Sequence, residues 1–325
     1  MIRSCCRGVS LALALTLAVS ALAGSAQAAD KLRVGRAQAQ PFTFAPLDIG
    51  VEEGVFAKHN LDLEVTNFPG SANLQRGIAA DAIDIAVGSG PELAFIVKGN
   101  PELAVAAMAN QPELLSIITP KDGPVKTVAD LKGKLISVST KGSLTAWLVQ
   151  VLSKQQGWGP DGIKMVELGS DSPQVAALRT GQTNGMVTDI ATGFKLEEEG
   201  VSRTIVNFGH IVPDFHIHII YASNKIMDAH PDQVREFLAG WFDTIAYMKA
   251  HKPESVKIGA RVGRVSEEIE SKVYDDIMPT FSTDGKFNPK ALDTLGESFV
   301  ELGMLPSKPD MSKITTEKFL PGAAR

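Results

Sequence analysis

Short apolar runs alternate with amphipathic stretches along most of this chain. Leu32-Arg33-Val34-Gly35 reads as a short strand and Gln38-Ala39-Gln40-Pro41-Phe42 as the loop after it. Residues 47–56 put Ile49, Val51 and Phe56 at helical spacing, with Glu52 and Glu53 on the polar side. Leu61-Asp62-Leu63-Glu64-Val65 alternates with period two, as a strand with one buried face does. Pro69-Gly70-Ser71 then turns the chain into a helix predicted over 72–80. Ile83-Asp84-Ile85-Ala86-Val87 predicts a third strand, closed by Gly88-Ser89-Gly90-Pro91. Strands separated by short helices imply right-handed parallel connections and an α/β sheet.

The pattern starts again near Lys134. Residues 135–138 predict a strand, Ser139-Thr140-Lys141-Gly142-Ser143 its loop, and 144–156 a helix. A strand at 164–168, a helix over 173–179 and a strand at 185–190 follow, the last containing Thr188 and Asp189. The two copies have matching order and nearly equal length, which points to two similar lobes. Asp122-Gly123-Pro124 within 120–132 reads as the first crossing between them, and the extended run near 215–223 as the second. The expected division is a first lobe of 29–119 and 222–325 and a second of 120–221. Helical periodicity over 231–250 and 266–277 gives a tail expected to pack back on the first lobe.

The first 28 residues carry a different message. Arg3 and Arg7 precede an apolar run from Leu11 to Leu22, and Ala26-Gln27-Ala28 has the small-x-small form of a cleavage site. That apolar run is too short to span a bilayer, so a secretory signal cut after Ala28 is expected, releasing a free periplasmic protein. Cys5 and Cys6 are the chain's two cysteines, and both leave with this segment. Disulfides, thiolate metal sites and cysteine nucleophiles are thereby excluded from the mature chain. Removing Arg3 and Arg7 sets 30 basic residues against 37 acidic ones, a net charge of −7. An acidic surface with no basic cluster repels nucleic acid and anionic lipid, so neither is an expected partner, and no direct membrane insertion is expected.

In an open parallel sheet, ligands bind outside the carboxyl ends of the strands. The loops meeting that description supply Gln38, Gln40, Phe42, Gly70, Ser71, Ser89, Gly90, Lys141, Gly142, Ser143, Thr188 and Asp189 as candidate ligand contacts. Unpaired amides at helix starts favour an anionic group, and Lys141 adds a full charge beside one of them. Each residue also has a structural reading: Gly70-Ser71 and Gly142-Ser143 as turn and cap, Asp189 as a helix cap, Lys141 as surface charge. His216 and His218 read as hydrogen-bonding residues at a hinge, Trp147 as core, and Glu197-Glu198-Glu199 as a solvated run. Neither a nucleophile elbow nor a phosphate loop is present, so the chain is expected to be no enzyme and to need no cofactor or metal.

Several passages together resemble a known family. Gly50-Val51-Glu52-Glu53-Gly54-Val55-Phe56-Ala57-Lys58-His59-Asn60-Leu61 is similar to a passage of the periplasmic binding proteins of nitrate, sulfonate and taurine ABC importers. Gly70-Ser71 with Ile78-Ala79-Ala80-Asp81-Ala82-Ile83-Asp84-Ile85-Ala86, Asp130-Leu131-Lys132-Gly133-Lys134 with Gly142-Ser143, and Ala176-Ala177-Leu178-Arg179-Thr180-Gly181 match its later hallmarks. The resemblance runs from about Leu32 to Ala250 and extends to a superfamily that includes thiamine-pyrimidine synthases, whose Cys-rich motif this mature chain lacks. It implies a type II periplasmic-binding-protein fold, two α/β lobes closing on ligand by a hinge. It also implies ligand contacts near Gln40, Ser71, Ser89, Ser143 and Asp189, and delivery of a small-molecule ligand to an ABC permease by a monomer. Carboxylates near Glu92 and Glu102 are expected at the lobe tips that would meet the permease. The alternatives are a ligand-presenting sensor for a receptor kinase, a binding protein for a thiamine-pyrimidine precursor, and an exported enzyme. The candidate loops hold no Arg, which argues against a strongly held dianion.

Overall fold

The computed structural model describes residues 29–37, 41–68, 70–140 and 143–323. Gln38, Gln40, Lys141, Gly142 and the expected signal segment lie outside the described residues. In chain order the strands are β1 (Asp30–Arg36), β2 (Leu61–Asn67), β3 (Ile85–Ser89), β4 (Glu102–Asn110), β5 (Leu115–Pro120), β6 (Leu135–Val138), β7 (Lys164–Glu167), β8 (Gly185–Asp189), β9 (Ser202–Asn207) and β10 (His216–Ser223). They form two five-stranded sheets, ordered β2-β1-β3-β10-β4 and β7-β6-β8-β5-β9.

The two sheets repeat one plan. Each has a parallel trio, β2-β1-β3 and β7-β6-β8, followed by an antiparallel strand and an outer strand. The inserted strand is the one the chain makes on arriving from the other sheet: β10 between β3 and β4, β5 between β8 and β9. The sheets are therefore mixed: the expected parallel connections lie within each trio, and the inserted strand runs antiparallel to its neighbours. A strand entering from the crossing side starts where the carboxyl ends of its neighbours lie, so it must run against them.

The crossings also fall elsewhere than expected. The chain leaves β4 at Asn110 and enters β5 at Leu115, and it returns between Asn207 and His216. Residues 120–132 are no crossing, because Pro120 ends β5 and Thr127 caps a turn of 3-10 helix, Val128–Leu131, in the second half. His216–Ser223 belongs wholly to the first sheet. The two crossings run side by side: the Gln111 amide donates to the Phe215 carbonyl at 2.8 Å, and Asn207 Nδ2 donates to the Glu113 carbonyl at 2.9 Å. Gln111 holds a left-handed backbone, φ 58°, a conformation disfavoured for a side chain with a Cβ.

Burial follows strand position. β10 sits near the centre of its sheet and all eight of its residues are buried, as expected where both faces are covered. β2 is an edge strand, with Leu61 buried and Asp62 and Glu64 exposed, which explains its alternation in the sequence. β4 is the opposite edge, and the tail of the chain covers it. The Ala104 amide donates to the Ile314 carbonyl at 3.0 Å, Thr316 N–H to the Ala104 carbonyl at 2.8 Å, and Ala107 N–H to the Gly285 carbonyl at 2.8 Å. Such pairing removes the open edge that would otherwise invite association.

Helix Pro231–Ala250 packs on the first half. It buries Phe237 and Trp241, and Phe237 stacks on Phe56 with centroids 5.5 Å apart. The helix expected over 47–56 is two, Ala45–Glu52 and Val55–Lys58, because Gly54 turns left-handed at φ 66°.

Candidate functional site at the junction of the two sheets

The carboxyl ends of the parallel trios face the side on which the chain crosses between sheets. On the first wall, Ser71 begins helix Ser71–Ala79 after Gly70, and its hydroxyl lies 3.3 Å from that of Ser89 at the end of β3. Glu92 holds this pair. Its carboxylate accepts the Ser89 amide at 2.8 Å, the Ser89 hydroxyl at 3.0 Å and Gln75 Nε2 at 2.7 Å. The Ser89 carbonyl accepts the Tyr221 hydroxyl at 2.6 Å. Burial raises the Glu92 carboxyl above its ordinary range, against the hydrogen bonds that lower it. Glu92 and Glu102 are each 1 % exposed, so neither is a lobe-tip charge, and that expectation is corrected. Burial pushes Glu102 up to about 8, with Asn100 Nδ2 as its donor at 3.3 Å. Gly90 is buried against β10, where a Cβ would overlap the His216 carbonyl oxygen. It is glycine for close packing.

The second wall has the same grammar. Ser143 caps helix Leu144–Gln155, accepting from Ala146 N–H at 3.3 Å, and its hydroxyl lies 2.9 Å from Thr145 Oγ1, itself 3.0 Å from Ser139 Oγ. Asp189 caps helix Ile190–Glu198 through an Ala191 N–H bond of 2.8 Å. Asp171 opens helix Asp171–Arg179 and accepts the hydroxyls of Thr188 at 3.3 Å and Thr192 at 3.2 Å. A capping carboxylate is ordinarily stabilised in its charged form. Here burial and the Asp171 charge prevail, and Asp189 is pushed up to about 7. Burial raises Asp171 as well.

A tail helix closes the junction. Glu270 lies on helix Glu267–Ile277, is 3 % exposed, and is pushed up to about 7 by burial and then by the charge of Asp189. Glu270 Oε1 occupies the space a Cβ on Gly259 would need, beside the edge of Phe42. Phe42 packs edge-on against Tyr274 and Phe281, at 5.9 and 6.2 Å, so this candidate contact is largely buried in an aromatic cluster. The same helix reaches the other half through Lys272, 2.9 Å from Glu198. A second strap joins Glu301 of helix Pro289–Glu301 to Trp147 Nε1 at 2.7 Å and Lys154 Nζ at 2.6 Å. Trp147 is core, stacked on Phe215 of the second crossing at 5.1 Å.

Of the two histidines expected to hydrogen-bond, His216 does and His218 Nδ1 is buried without a partner among the described residues. His216 Nε2 accepts the Asn288 amide at 2.9 Å, so its Nδ1–H donates to Asn110 Oδ1 at 2.6 Å, and burial lowers its pKa to about 4. His218 packs against Phe44 with centroids 4.6 Å apart, and burial lowers it to about 3. The structure thus brings Gly70, Ser71, Ser89 and Gly90 together on one wall and Thr188 and Asp189 together on the other. Gln75, Asp171 and Glu270 were missed, and Glu92 had been read as a lobe-tip charge. Gln75, Glu92 and Glu270 are buried, which no local spacing announces.

The model of the family described as NMT1/THI5 like matches residues 42–255, about two thirds of the chain and nearly all of both walls. The chain belongs to the NMT1/THI5-like family. A relative from Haemophilus influenzae, named for thiamine biosynthesis, is 23% identical over 274 residues, covering 81% of this chain and 84% of its own. A Bacillus subtilis relative, named for binding aliphatic sulfonates, is 22% identical over 289 residues, covering 81% of this chain and 82% of its own. Among solved structures, the periplasmic aliphatic sulphonate binding protein SsuA of Escherichia coli superposes with a TM-score of 0.77 at 17% identity, over 91% of this chain and 94% of that one. The desulfurization enzyme DszB also shares the fold, with a TM-score of 0.65 at 14% identity over 89% of this chain and 97% of that one. This NMT1/THI5-like chain therefore has the periplasmic-binding-protein fold, on which both binders and enzymes have been built. Among its described residues no group of three His, Cys, Asp or Glu is placed to hold a metal ion, and no helix is long and apolar enough to cross a membrane.

Proposed function

We propose that this chain is the exported solute-binding component of an ABC importer, capturing a small polar organic molecule between its two halves and handing it to a membrane permease. The observation that carries the reading is the pair of matched walls. Each offers strand ends and helix starts to one shared junction, and only two short adjacent crossings join them at the backbone. Halves so joined close as rigid bodies by a hinge. Gln111 and the Asn207–Glu113 bond are the natural pivot. Closure on ligand follows if the molecule touches both walls, since only then does it bind the closed form better than the open one.

The site reads as binding rather than catalytic. Ser143 and Asp189 spend their side chains on helix caps, and the Ser71–Ser89 pair is fixed by a buried acid. Two ligand candidates stand: a sulfonate, from the name of the Bacillus subtilis relative, and the thiamine-pyrimidine precursor the sequence resemblance raised. The second agrees with the thiamine biosynthesis for which the relative from Haemophilus influenzae is named. A thermal-shift panel of sulfonates, carboxylates, pyrimidines and organic amines tests the reading. A ligand at a hundred times its dissociation constant adds about 2.7 kcal/mol, several degrees in melting temperature. Turnover of any bound compound would favour an enzyme instead.

A further inference from the structure

Three carboxyl groups meet where the walls approach: Asp171 and Asp189 on the second and Glu270 on the tail helix of the first. Glu270 is almost wholly buried, yet its carboxylate accepts no hydrogen bond from any described residue. Asp189 has one oxygen, Oδ1, bonded to its own helix start, which leaves the other available. Among the described residues no cation acts on any of the three, and the nearby Lys272 is occupied by Glu198 and Glu268. An anion is disfavoured here, because the amide at the start of helix Ile190–Glu198 already faces Asp189 and Asp171 puts a negative charge in the first turn of helix Asp171–Arg179. Buried carboxyls without partners are unfavourable unless protonated or given a positive donor.

We propose that the junction selects an organic cation, a primary ammonium or amidinium group on a ring-sized apolar body, whose N–H donors bridge Glu270 and Asp189 with the body beside Phe42. This rests on the solute-binding reading and names its ligand class. Ammonium and amidinium groups carry several donors and no acceptor, which suits two carboxylates that need donors. The two acids belong to opposite walls, so a cation between them favours the closed form and couples capture to closure.

The test is calorimetric titration of the purified protein with benzamidine and 2-phenylethylamine as cations and with benzenesulfonate, benzoate and MOPS as anions. It is accompanied by native mass spectrometry of the protein recovered from its own periplasm. The expected result is binding of a cation probe, or co-purification of a molecule with a basic nitrogen. Glu270→Gln should weaken the cation by about thirtyfold or more. Glu64→Gln, which removes the same charge from the outer edge strand, should leave it unchanged. Gln fills the same volume as Glu, and a melting curve for each variant confirms folding. Binding of an anion probe alone, or cation binding indifferent to Glu270→Gln, overturns the inference while sparing the solute-binding reading. Neither probe binding nor any co-purified small molecule overturns both.

Discussion

At position 92 a carboxylate sits where three donors converge, the Ser89 amide and hydroxyl and the Gln75 side chain, and the wall depends on that convergence. Glu92→Ala leaves those donors buried without a partner and should lower stability by about 3 kcal/mol in urea denaturation. Glu270 makes a pH-dependent statement. Its folded-state pKa, like that of Asp189, is pushed up to about 7, from 4.5 and 3.8 respectively. The folded chain therefore holds protons the unfolded chain has released, and this contribution to stability is lost as pH rises from about 4 through 7. Glu270→Gln removes its own share, so the variant should gain on the native protein between pH 5 and pH 8. An equal difference at both pH values would contradict this. The places of Ser71, Ser89 and Asp189 at strand ends and helix starts were legible because hydroxyl and acid residues have a known turn and cap chemistry. Glu92 and Glu270 were not. Glu270 stands in an acidic first turn, Glu267-Glu268-Ile269-Glu270, that reads as ordinary helix-start charge, and only tertiary packing turns one of its members inward.

Among the elements, those with a clear period were found and those without were lost. Helix Pro231–Ala250 begins at its proline and runs as its spacing predicts. Strand β4, Glu102-Leu-Ala-Val-Ala-Ala-Met-Ala-Asn110, was missed because alanine favours helix and its residues are buried on both faces, so no alternation shows. Losing β4 and β5 moved the expected crossing to the first proline and glycine cluster beyond them. Strand β10 carries the two histidines that bind its start to its surroundings, His216 through Asn110 and Asn288 and His218 through Phe44. Their pKa values, about 4 and about 3, lie below the ordinary 6.5. Stability from keeping them neutral is therefore present above pH 6.5 and is lost as pH falls toward 4. His218→Leu should keep more of its stability on going from pH 7 to pH 4.5 than the native protein does, measured by urea denaturation at both. A parallel loss in the two would contradict it.

At the scale of the molecule, one topological unit used twice explains why the internal similarity of the sequence was real although faint. The strand that crosses over was invisible to that comparison, since it belongs to the unit only after the chain has come back. The straps across the junction, Glu301 to Trp147 and Lys154, and Lys272 to Glu198, hold the two halves together. Lys154 and Glu301 are about a third exposed, so solvent screens their attraction. Glu301→Ala should therefore cost only about 1 kcal/mol. Its larger effect should be a greater radius of gyration in small-angle scattering, as the halves part more often. An unchanged radius would make the strap incidental. The most direct test of solute capture is that same scattering measurement on the native protein, with and without the compound giving the largest thermal shift. Capture predicts one-to-one binding and a smaller radius of gyration on saturation. Binding with no change in shape, or conversion of the compound without its retention, would contradict it.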